Sequence, residues 1–338
     1  MNIIITGGSG FLGARLARSL LTMGAISLNG QAAEHINRIT LADRMPPPAD
    51  LALDPRIEAV VGDLNAQLTP VATNLISSRA DTALIFHLAA AVSGECEANF
   101  DLGMQSNFFA THALLEACRA LKTKPMLVFA SSLAVFGQNS QLLLPDVVTD
   151  TTLPTPQSSY GIQKFIGEQL VADYGRKGFI RARNLRLMTV AVRPGKPNGA
   201  ASGFFSGMIR EPLAGVASNV PVTPDTRVAL SSPGRTIDGL LRAAQASDAD
   251  WGPLTALNLP AMTTQVGTMA DALKSIAGSA YSALLTWQKD PKIEAIVASW
   301  PTRIASPRAN ALGLQADTDF ESIVRTYMGE NPDALRKI

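Results

Sequence analysis

Residues 2–13 read Asn2-Ile3-Ile4-Ile5-Thr6-Gly7-Gly8-Ser9-Gly10-Phe11-Leu12-Gly13, and this stretch decides the fold. A β-branched run ends at Thr6, glycines follow, and apolar residues then recur at helical spacing. Gly7 would make a tight turn, Gly10 would let a pyrophosphate approach the backbone, and Gly13 would let the helix pack closely on the strand. The stretch predicts a βα unit that binds a dinucleotide with the amides at its helix start, rather than a glycine-rich turn without a ligand. Its predicted cofactor contacts are Gly7, Ser9, Gly10, Phe11 and Leu12.

The second predicted strand, residues 39–43, ends in Asp43. An acid at this point usually holds the adenosine ribose hydroxyls and repels a 2'-phosphate, which favours NAD over NADP. The separation from Gly13 exceeds the usual spacing of about 20 residues, and an inserted loop over residues 25–38 would explain it. Arg44 favours the opposite choice, because a guanidinium there could accept the phosphate of NADP. NAD is therefore the predicted cofactor, and NADP is the less favoured alternative.

Three further apolar runs fit the same parallel sheet. Residues 58–62 lead into Asp63, whose carboxylate could reach the adenine. Residues 83–91 end in small residues, which leave room for a dinucleotide in the crevice. Residues 126–130 lead into Ser131 and Ser132, and a hydroxyl there would lie beside the nicotinamide end of the cofactor.

Tyr160 and Lys164 stand four residues apart on a predicted helix. Helical spacing puts both on one face, so the Lys164 ammonium can lie beside the Tyr160 phenol and favour its ionised form. Such a tyrosine can take up or release the hydroxyl proton when an alcohol and a carbonyl interconvert, as nicotinamide chemistry requires. The predicted catalytic residues are Ser132, Tyr160 and Lys164.

In order and spacing, these motifs resemble those of the extended short-chain dehydrogenase/reductase family, also called the NAD-dependent epimerase/dehydratase family. The resemblance covers almost the whole chain. It implies an α/β fold with a Rossmann-type doubly wound parallel sheet and a smaller mixed α/β substrate lobe toward the C-terminus. The residues that carry it are Gly7, Gly10, Gly13, Asp63-Leu64, His87-Leu88-Ala89-Ala90, Asn107, residues 131–137, Tyr160, Lys164 and Arg193-Pro194-Gly195.

The resemblance also implies a mechanism. Tyr160 as phenolate removes the hydroxyl proton, Ser132 holds the same oxygen, and Lys164 lowers the pKa of Tyr160 and contacts the nicotinamide ribose. Asn107 is a candidate for the water or backbone link behind Lys164, and a helix-packing amide is an equal alternative for it. The further cofactor contacts implied are Leu64, Leu88, Ala89, Ala90, Asn107, Tyr160, Lys164 and Pro194.

Residues 92–95 and 193–215 are similar to the D-erythronate dehydrogenase subgroup. This implies NAD-dependent oxidation of a four-carbon sugar acid at C2 to the 2-keto acid. A sugar acid needs a cation for its carboxylate. Lys196, Arg210 and Arg235 are candidates, each with a solvated surface charge as the alternative. The predicted substrate residues are these three together with Ser93, Ser132 and Tyr160.

Two other classes of function stay open. One is a nucleotide-sugar epimerase or dehydratase that keeps NAD tightly bound. The Val-Asp-Asp stretch common in those enzymes is absent, and residues 228–235 stand in its place, which argues against a nucleotide sugar. The other is a nucleotide-sensing protein without catalysis, against which intact Ser132, Tyr160 and Lys164 argue.

The composition favours an ordinary soluble enzyme. The chain has 338 residues, 46% of them hydrophobic, and a formal net charge of +1, which gives no reason to expect nucleic acid or an anionic membrane. No apolar run reaches the length of a membrane span, and the chain enters its first strand at once, so a cytoplasmic enzyme without a signal peptide is predicted. Cys96 and Cys118 do not form a metal-spaced pair, and no metal is predicted.

Two domains are predicted. Residues 1–190 form the dinucleotide-binding domain, to which a segment at about 225–260 returns, and residues 191–338 form mainly the substrate lobe. Residues 266–277 predict a helix with Thr268 as its N-cap. A homodimer is expected because dimers are usual in the resembled family.

Overall fold

The structure is a computed structural model that describes residues 1–69, 74–195 and 199–338. The chain divides into two compact units. Unit 1 consists of Met1–Ser132, Ser159–Arg186 and Ile237–Leu257, and unit 2 of Leu133–Ser158, Leu187–Thr236 and Asn258–Ile338. The predicted domain division near residue 190 stays a prediction.

The strands of the described chain are numbered in sequence order. They are β1 Asn2–Thr6, β2 Ala25–Ile26, β3 Glu34–His35, β4 Arg38–Asp43, β5 Ile57–Val61, β6 Thr82–His87, β7 Met126–Ser132, β8 Arg181–Leu187, β9 Thr189–Val190, β10 Ser218–Asn219, β11 Arg227–Ser231, β12 Leu257–Asn258, β13 Met262–Gln265 and β14 Leu285–Thr286.

The helices are numbered in the same way. They are α1 Phe11–Met23, α2 Ala49–Ala52, α3 Leu64–Leu68, α4 Ser93–Ala98, α5 Phe100–Gly103, α6 Ala110–Arg119, α7 Ser159–Arg176, α8 Gly203–Leu213, α9 Pro233–Gln245, α10 Asp248–Trp251, α11 Val266–Ala277, α12 Ser279–Ser282, α13 Pro291–Ala298, α14 Pro307–Ala311 and α15 Phe320–Glu330. A π-helix, Met104–Phe109, joins α5 to α6, and short 3₁₀ turns cover Ser77–Arg79, Leu133–Val135 and Pro332–Ala334.

The main sheet has the strand order β12-β8-β7-β6-β1-β4-β5, and the pairs from β7 through β5 are parallel. From β1 the chain moves outward to β4 and β5, then returns to place β6 on the other side of β1. Ligands of doubly wound sheets bind where the strand order reverses, at the carboxyl ends of the strands. The predicted doubly wound α/β fold is confirmed, and its switch point lies between β1 and β6.

The sheet is covered by helices because its strands are apolar on both faces. One cluster of buried side chains joins β6 and β7 to α6 and α7, through residues such as Ile85, Leu115, Leu127, Phe129 and Val171. The predicted inserted loop over residues 25–38 contains the short antiparallel pair β2–β3. Hydrogen bonds from the backbone of Asn29 and Gly30 to the end of α9 fasten this insertion within unit 1.

Unit 2 has smaller sheets, in the orders β13-β11-β9 and β10-β14. Helix α11 packs against α8 and α15, and the buried residues of these three helices include Phe205, Met269, Leu273 and Ile323. The predicted helix over residues 266–277 is present, but its N-cap residue is Gln265, so the assignment of Thr268 was wrong. The backbone amide of Val266 bonds to the Thr226 carbonyl, so pairing with β11 sets where the helix begins.

Candidate active site

The glycine turn leaves no room for side chains. Gly7 has a φ of +70°, and a Cβ there would lie 2.8 Å from the Ala89 nitrogen. A Cβ on Gly13 would lie 2.2 Å from the Gly7 carbonyl oxygen. Helix α1 therefore starts directly against the end of β1, and the pyrophosphate site expected at its first amides stays a prediction. Phe11 and Leu12, the first residues of α1, are half-buried.

The Ser9 hydroxyl is buried in this turn and has no hydrogen-bond partner within the described residues. A buried polar atom without a partner is costly unless a ligand or water satisfies it. Together with the absence of side chains at Gly7, Gly8 and Gly10, this orphaned hydroxyl fits the diphosphate of a dinucleotide. Residues of the turn would hold NAD here, and the cofactor would supply the hydride acceptor.

Asp43 lies at the carboxyl end of β4, as predicted. Its Oδ2 accepts hydrogen bonds from the backbone amides of Ser9 (3.1 Å) and Gly10 (3.2 Å). Its Oδ1 accepts from the Met45 amide at 3.1 Å. The carboxylate is therefore fixed beside the glycine turn.

Arg44 and Asp63 form an ion pair. The Arg44 guanidinium donates to Asp63 Oδ2 through Nη2 (2.6 Å) and Nε (3.2 Å). Asp63 Oδ1 caps α3, which begins at Leu64, by accepting from the amide of Asn65 (3.0 Å). The Arg44 charge holds the pKa of the Asp63 carboxyl below its usual range. The one cation that argued for NADP is thus engaged by a carboxylate.

His87 ends β6 and is completely buried, so it belongs to the core. The Thr111 hydroxyl donates its proton to the Asn107 carbonyl (2.6 Å), so it accepts from His87 Nε2 (2.9 Å). His87 Nδ1 then accepts from the Thr6 hydroxyl at 2.7 Å. Burial lowers the pKa of His87 to about 3, so the ring is neutral at neutral pH.

The predicted residues after β6 continue along the crevice. The Leu88 amide bonds to the Thr6 carbonyl (3.1 Å) and the Ala89 amide to the Thr6 hydroxyl (3.3 Å). Ala90 follows as a half-buried residue. These contacts tie the ends of β1 and β6 together at the switch point.

Asn107 lies on the π-helix and is 2% exposed. Its Oδ1 accepts from the Ala91 amide (2.8 Å), and its Nδ2 donates to the Ala91 carbonyl (3.2 Å) and to Gln163 Oε1 (2.8 Å). Gln163 precedes Lys164 on α7. Asn107 therefore joins the loop after β6 to the helix that carries Tyr160, and this packing role agrees with the second alternative. Its partner Gln163 directly precedes Lys164 in the sequence.

Tyr160 and Lys164 lie on one face of α7. The Lys164 Nζ is 5.8 Å from the centre of the Tyr160 ring and 4.9 Å from that of Phe129. It donates a hydrogen bond to the Ala130 carbonyl at 2.8 Å, and two residues later Ser132 ends β7. The structure thus joins Tyr160 and Lys164 to the strand that carries Ser132. Burial lowers the pKa of Lys164 to about 8, with Cys96 and then Glu168 opposing the shift.

One buried group was missed in the sequence. Glu168 lies on the same face of α7, where Ser131 donates to it at 2.5 Å and Arg186 of β8 pairs with it through Nε (2.8 Å) and Nη2 (2.7 Å). The available signal was its spacing of four residues beyond Lys164, together with an arginine inside an apolar strand.

The predicted substrate residues are distributed between the units. Ser93 begins α4 of unit 1 and is buried. The substrate candidate Lys196 lies outside the described residues, and Pro194, predicted as a cofactor contact, precedes α8 in unit 2. Arg210 of α8 donates to the Arg193 carbonyl (2.9 Å) and to Glu211 (2.5 Å), while Arg235 lies in the first turn of α9.

The described residues show neither a metal-ligand cluster nor a membrane-spanning helix. No group of three or more His, Cys, Asp or Glu side chains in residues 1–69, 74–195 and 199–338 could hold a metal ion. None of the helices in those ranges combines the length and apolarity that crossing a membrane requires.

Comparison with known proteins settles the family. The model of the NAD dependent epimerase/dehydratase family matches residues 3–228. The chain belongs to this family. It is 46% identical to the D-erythronate dehydrogenase of Cupriavidus necator, over 97% of this chain and 98% of that protein. It is 39% identical to the D-erythronate dehydrogenase of Haemophilus influenzae, over 97% and 99%.

A solved structure agrees over nearly the whole chain. The nucleoside-diphosphate-sugar epimerase from Agrobacterium tumefaciens is 34% identical, with a TM-score of 0.85 over 99% of this chain and 95% of that chain. The predicted family membership, the Rossmann-type fold and the resemblance to the D-erythronate dehydrogenases are confirmed.

Proposed function

We propose that this protein is an NAD-dependent dehydrogenase that oxidises a secondary hydroxyl of a short sugar acid, with D-erythronate converted to its 2-oxo acid. The observation that carries the proposal is the buried Lys164 beside Tyr160, on a chain related end to end to two D-erythronate dehydrogenases. A phenol next to an ammonium is the acid–base group that oxidation of an alcohol requires.

In this reaction Tyr160, Ser132 and Lys164 each have a separate role. Tyr160 as phenolate takes the proton of the substrate hydroxyl, and Ser132 donates a hydrogen bond to the same oxygen. Lys164 stabilises the phenolate by its charge, because a buried ammonium is little screened by water. The bound nicotinamide supplies the acceptor for the hydride that leaves the substrate carbon. Proton and hydride are thus removed together, and the alcohol becomes a carbonyl.

Two contacts support NAD over NADP. The Asp43 carboxylate stands beside the glycine turn, where it would accept hydrogen bonds from ribose hydroxyls and repel a 2'-phosphate. Arg44 is paired with Asp63, so accepting a 2'-phosphate would require that ion pair to open. Asp63 and Leu64 would lie near the adenine.

The substrate carboxylate would pair with Lys196, Arg210 or Arg235. The Arg210 guanidinium already donates to Glu211 and to the Arg193 carbonyl, so binding of a substrate carboxylate there would require these contacts to open. Arg235 stands in the first turn of a helix, where several amides also favour a negative charge.

The first experiment mixes purified protein with NAD and a panel of four-carbon to six-carbon aldonates, including D-erythronate and L-threonate, and follows absorbance of the reduced cofactor. We expect steady reduction of NAD in the presence of D-erythronate, and slower reduction of NADP when it replaces NAD. Silence across the panel, with NAD binding shown separately, would contradict the proposal.

A nucleotide-sugar epimerase or dehydratase is the second candidate, favoured by the 34% identity to the Agrobacterium protein of that name. Such an enzyme keeps its NAD bound and shows no net reduction of added cofactor. Conversion of a UDP-sugar without accumulation of NADH would favour this candidate over the sugar-acid dehydrogenase.

A cytoplasmic homodimer is also part of the proposal. Helix α5, the π-helix and α7 contact one another and expose Phe100 (61%), Phe109 (45%) and Ile162 (47%). Exposed large apolar groups on neighbouring helices favour association with a second copy. Light scattering of the wild type and of a Phe109→Glu variant tests the dimer, and cell fractionation tests the location.

A further inference from the structure

Glu168 is a buried carboxylate on the face of α7 that also carries Tyr160 and Lys164. Glu168, Arg186 and Ser131 are 1%, 4% and 2% exposed. Glu168 Oε1 accepts from the Ser131 hydroxyl (2.5 Å) and from Arg186 Nε (2.8 Å), and Oε2 accepts from Arg186 Nη2 (2.7 Å). The carboxylate therefore joins α7 to the last residues of β7 and β8, next to Ser132.

Holding a helix against two strands does not require charges. Taking two ions out of water costs several kcal/mol each, and well-packed apolar residues are often equally stable or more so. Gly167, which would place a Cβ 2.6 Å from the Phe129 ring, shows that α7 already packs closely on β7 beside this ion pair. Packing alone therefore does not account for the charge of Glu168.

The groups around Lys164 leave few permanent charges to act on it. His87 at the end of β6 is neutral because burial lowers its pKa to about 3. The Cys96 thiol of α4 stays protonated at neutral pH because burial raises its pKa. Glu97, on the same helix, is exposed and accepts from the Ser159 amide. In the described part of the chain, the buried ion pair on this face of α7 is that of Glu168 and Arg186.

We propose that Glu168 is a positioning residue that holds the proton on Lys164 while Tyr160 ionises, and that Arg186 limits this effect. The carboxylate acts by its negative charge on the Tyr160–Lys164 pair and, through Ser131, fixes the strand end that carries Ser132. The inference rests on the proposed function only in taking Tyr160 and Lys164 as the acid–base pair.

The two charges predict effects of opposite sign. Removal of the Glu168 charge makes loss of a proton from the pair easier, and removal of the Arg186 charge makes it harder. Lys164 is the nearer group along the helix, so loss of the carboxylate also moves the remaining proton from Lys164 toward Tyr160. The fraction of phenolate paired with an ammonium then falls, and the rate falls with it.

The test is a pH titration of tyrosinate absorbance, which needs no substrate. The variants are Glu168→Gln, Arg186→Met, the double variant with both changes, Glu168→Asp and Ser131→Ala. Each is titrated with and without Tyr160→Phe, so that the difference isolates Tyr160 among the four tyrosines of the chain. The pH dependence of kcat/KM is measured on the same set.

We expect the pH at which the Tyr160–Lys164 pair loses its first proton to fall by about one unit in Glu168→Gln and to rise in Arg186→Met. In the double variant, this pH lies near the wild-type value. Glu168→Asp keeps the charge and Ser131→Ala leaves both charges in place, so neither shifts the titration. The acid limb of kcat/KM follows the same order. Restoration by Glu168→Asp distinguishes a role for the charge from a role in packing alone.

Equal titrations for all variants, or shifts of the same sign in Glu168→Gln and Arg186→Met, would overturn the inference. If Glu168→Gln does not fold, Arg186→Met compared with Arg186→Lys makes the same test from the opposite charge. The expected titrations without oxidation of any aldonate would count against the proposed substrate and leave this inference standing.

Discussion

The two units differ in how their candidate residues are held. In unit 1 most of them lie at strand ends or on α7, and backbone contacts such as Gly7 against Ala89 fix the glycine turn. In unit 2 the candidate Arg210 is held by the side chain of its neighbour Glu211. The backbone geometry of a dinucleotide turn dictates residue types, whereas a charged pair on a helix is compatible with binding or with packing. The sequence of such an enzyme therefore predicts its cofactor-binding residues well and its substrate-binding residues far less well.

The comparison is tested most strongly by Tyr160→Phe, which removes the phenol that unit 1 places beside Lys164. We expect kcat to fall by about 10²- to 10⁴-fold, because general acid–base catalysis is lost, with binding of NAD retained. Stopped-flow reduction of NAD and a separate binding titration measure the two. Tyr174→Phe is the matched control, since Tyr174 lies on the same helix and its hydroxyl donates to Glu116. Equal rates for Tyr160→Phe and the wild type would remove Tyr160 from the mechanism.

The second test asks whether the turn itself is dictated by the backbone. Gly13→Ala forces a Cβ to within 2.2 Å of the Gly7 carbonyl, so α1 or the turn must move. We expect the free energy of unfolding to fall by about 1–3 kcal/mol and binding of NAD to be lost. Gly329→Ala is the control, because nothing lies within 4 Å of its added Cβ. Urea denaturation measures the free energy of unfolding of both variants, and titration with NAD measures their binding. Tight NAD binding by Gly13→Ala would contradict the account of the turn.

The accuracy of the sequence predictions follows the same division. Three structural predictions were correct: a strand before Gly7, the position of Asp43 at the end of a strand, and a helix with Tyr160 and Lys164 on one face. Each follows from a local rule of backbone or helix geometry. The N-cap at Thr268 was wrong because pairing with β11 places the start of α11 earlier. Glu168 and Arg186 were missed because their pairing joins a helix to a distant strand. No local pattern around Arg210 distinguishes a substrate ligand from a partner of Glu211.

The third test uses pH to probe the switch point between β1 and β6. His87 has a pKa of about 3 when folded, against 6.5 for an ordinary histidine, so the unfolded chain binds the extra proton between these values. Its contribution to stability is therefore present above about pH 6.5 and is lost as the pH falls toward 3, by at most ~1.4 kcal/mol per pH unit. His87→Gln, which takes up no proton, should flatten this dependence in urea denaturation from pH 7 to pH 4. His35→Gln, at an exposed histidine, should leave it unchanged.

The fourth test compares one charge from each unit. Asp43→Asn should raise KM for NAD by about tenfold and leave KM for the sugar acid unchanged, because it weakens charge-assisted hydrogen bonds to the ribose. Arg235→Gln should raise KM for the acid by a similar factor and leave NAD binding unchanged. Initial rates with each substrate varied in turn give both constants. If Arg235→Gln leaves KM for the acid unchanged while Arg210→Gln raises it in a stably folded protein, the pairing of Arg210 with Glu211 is part of the substrate site.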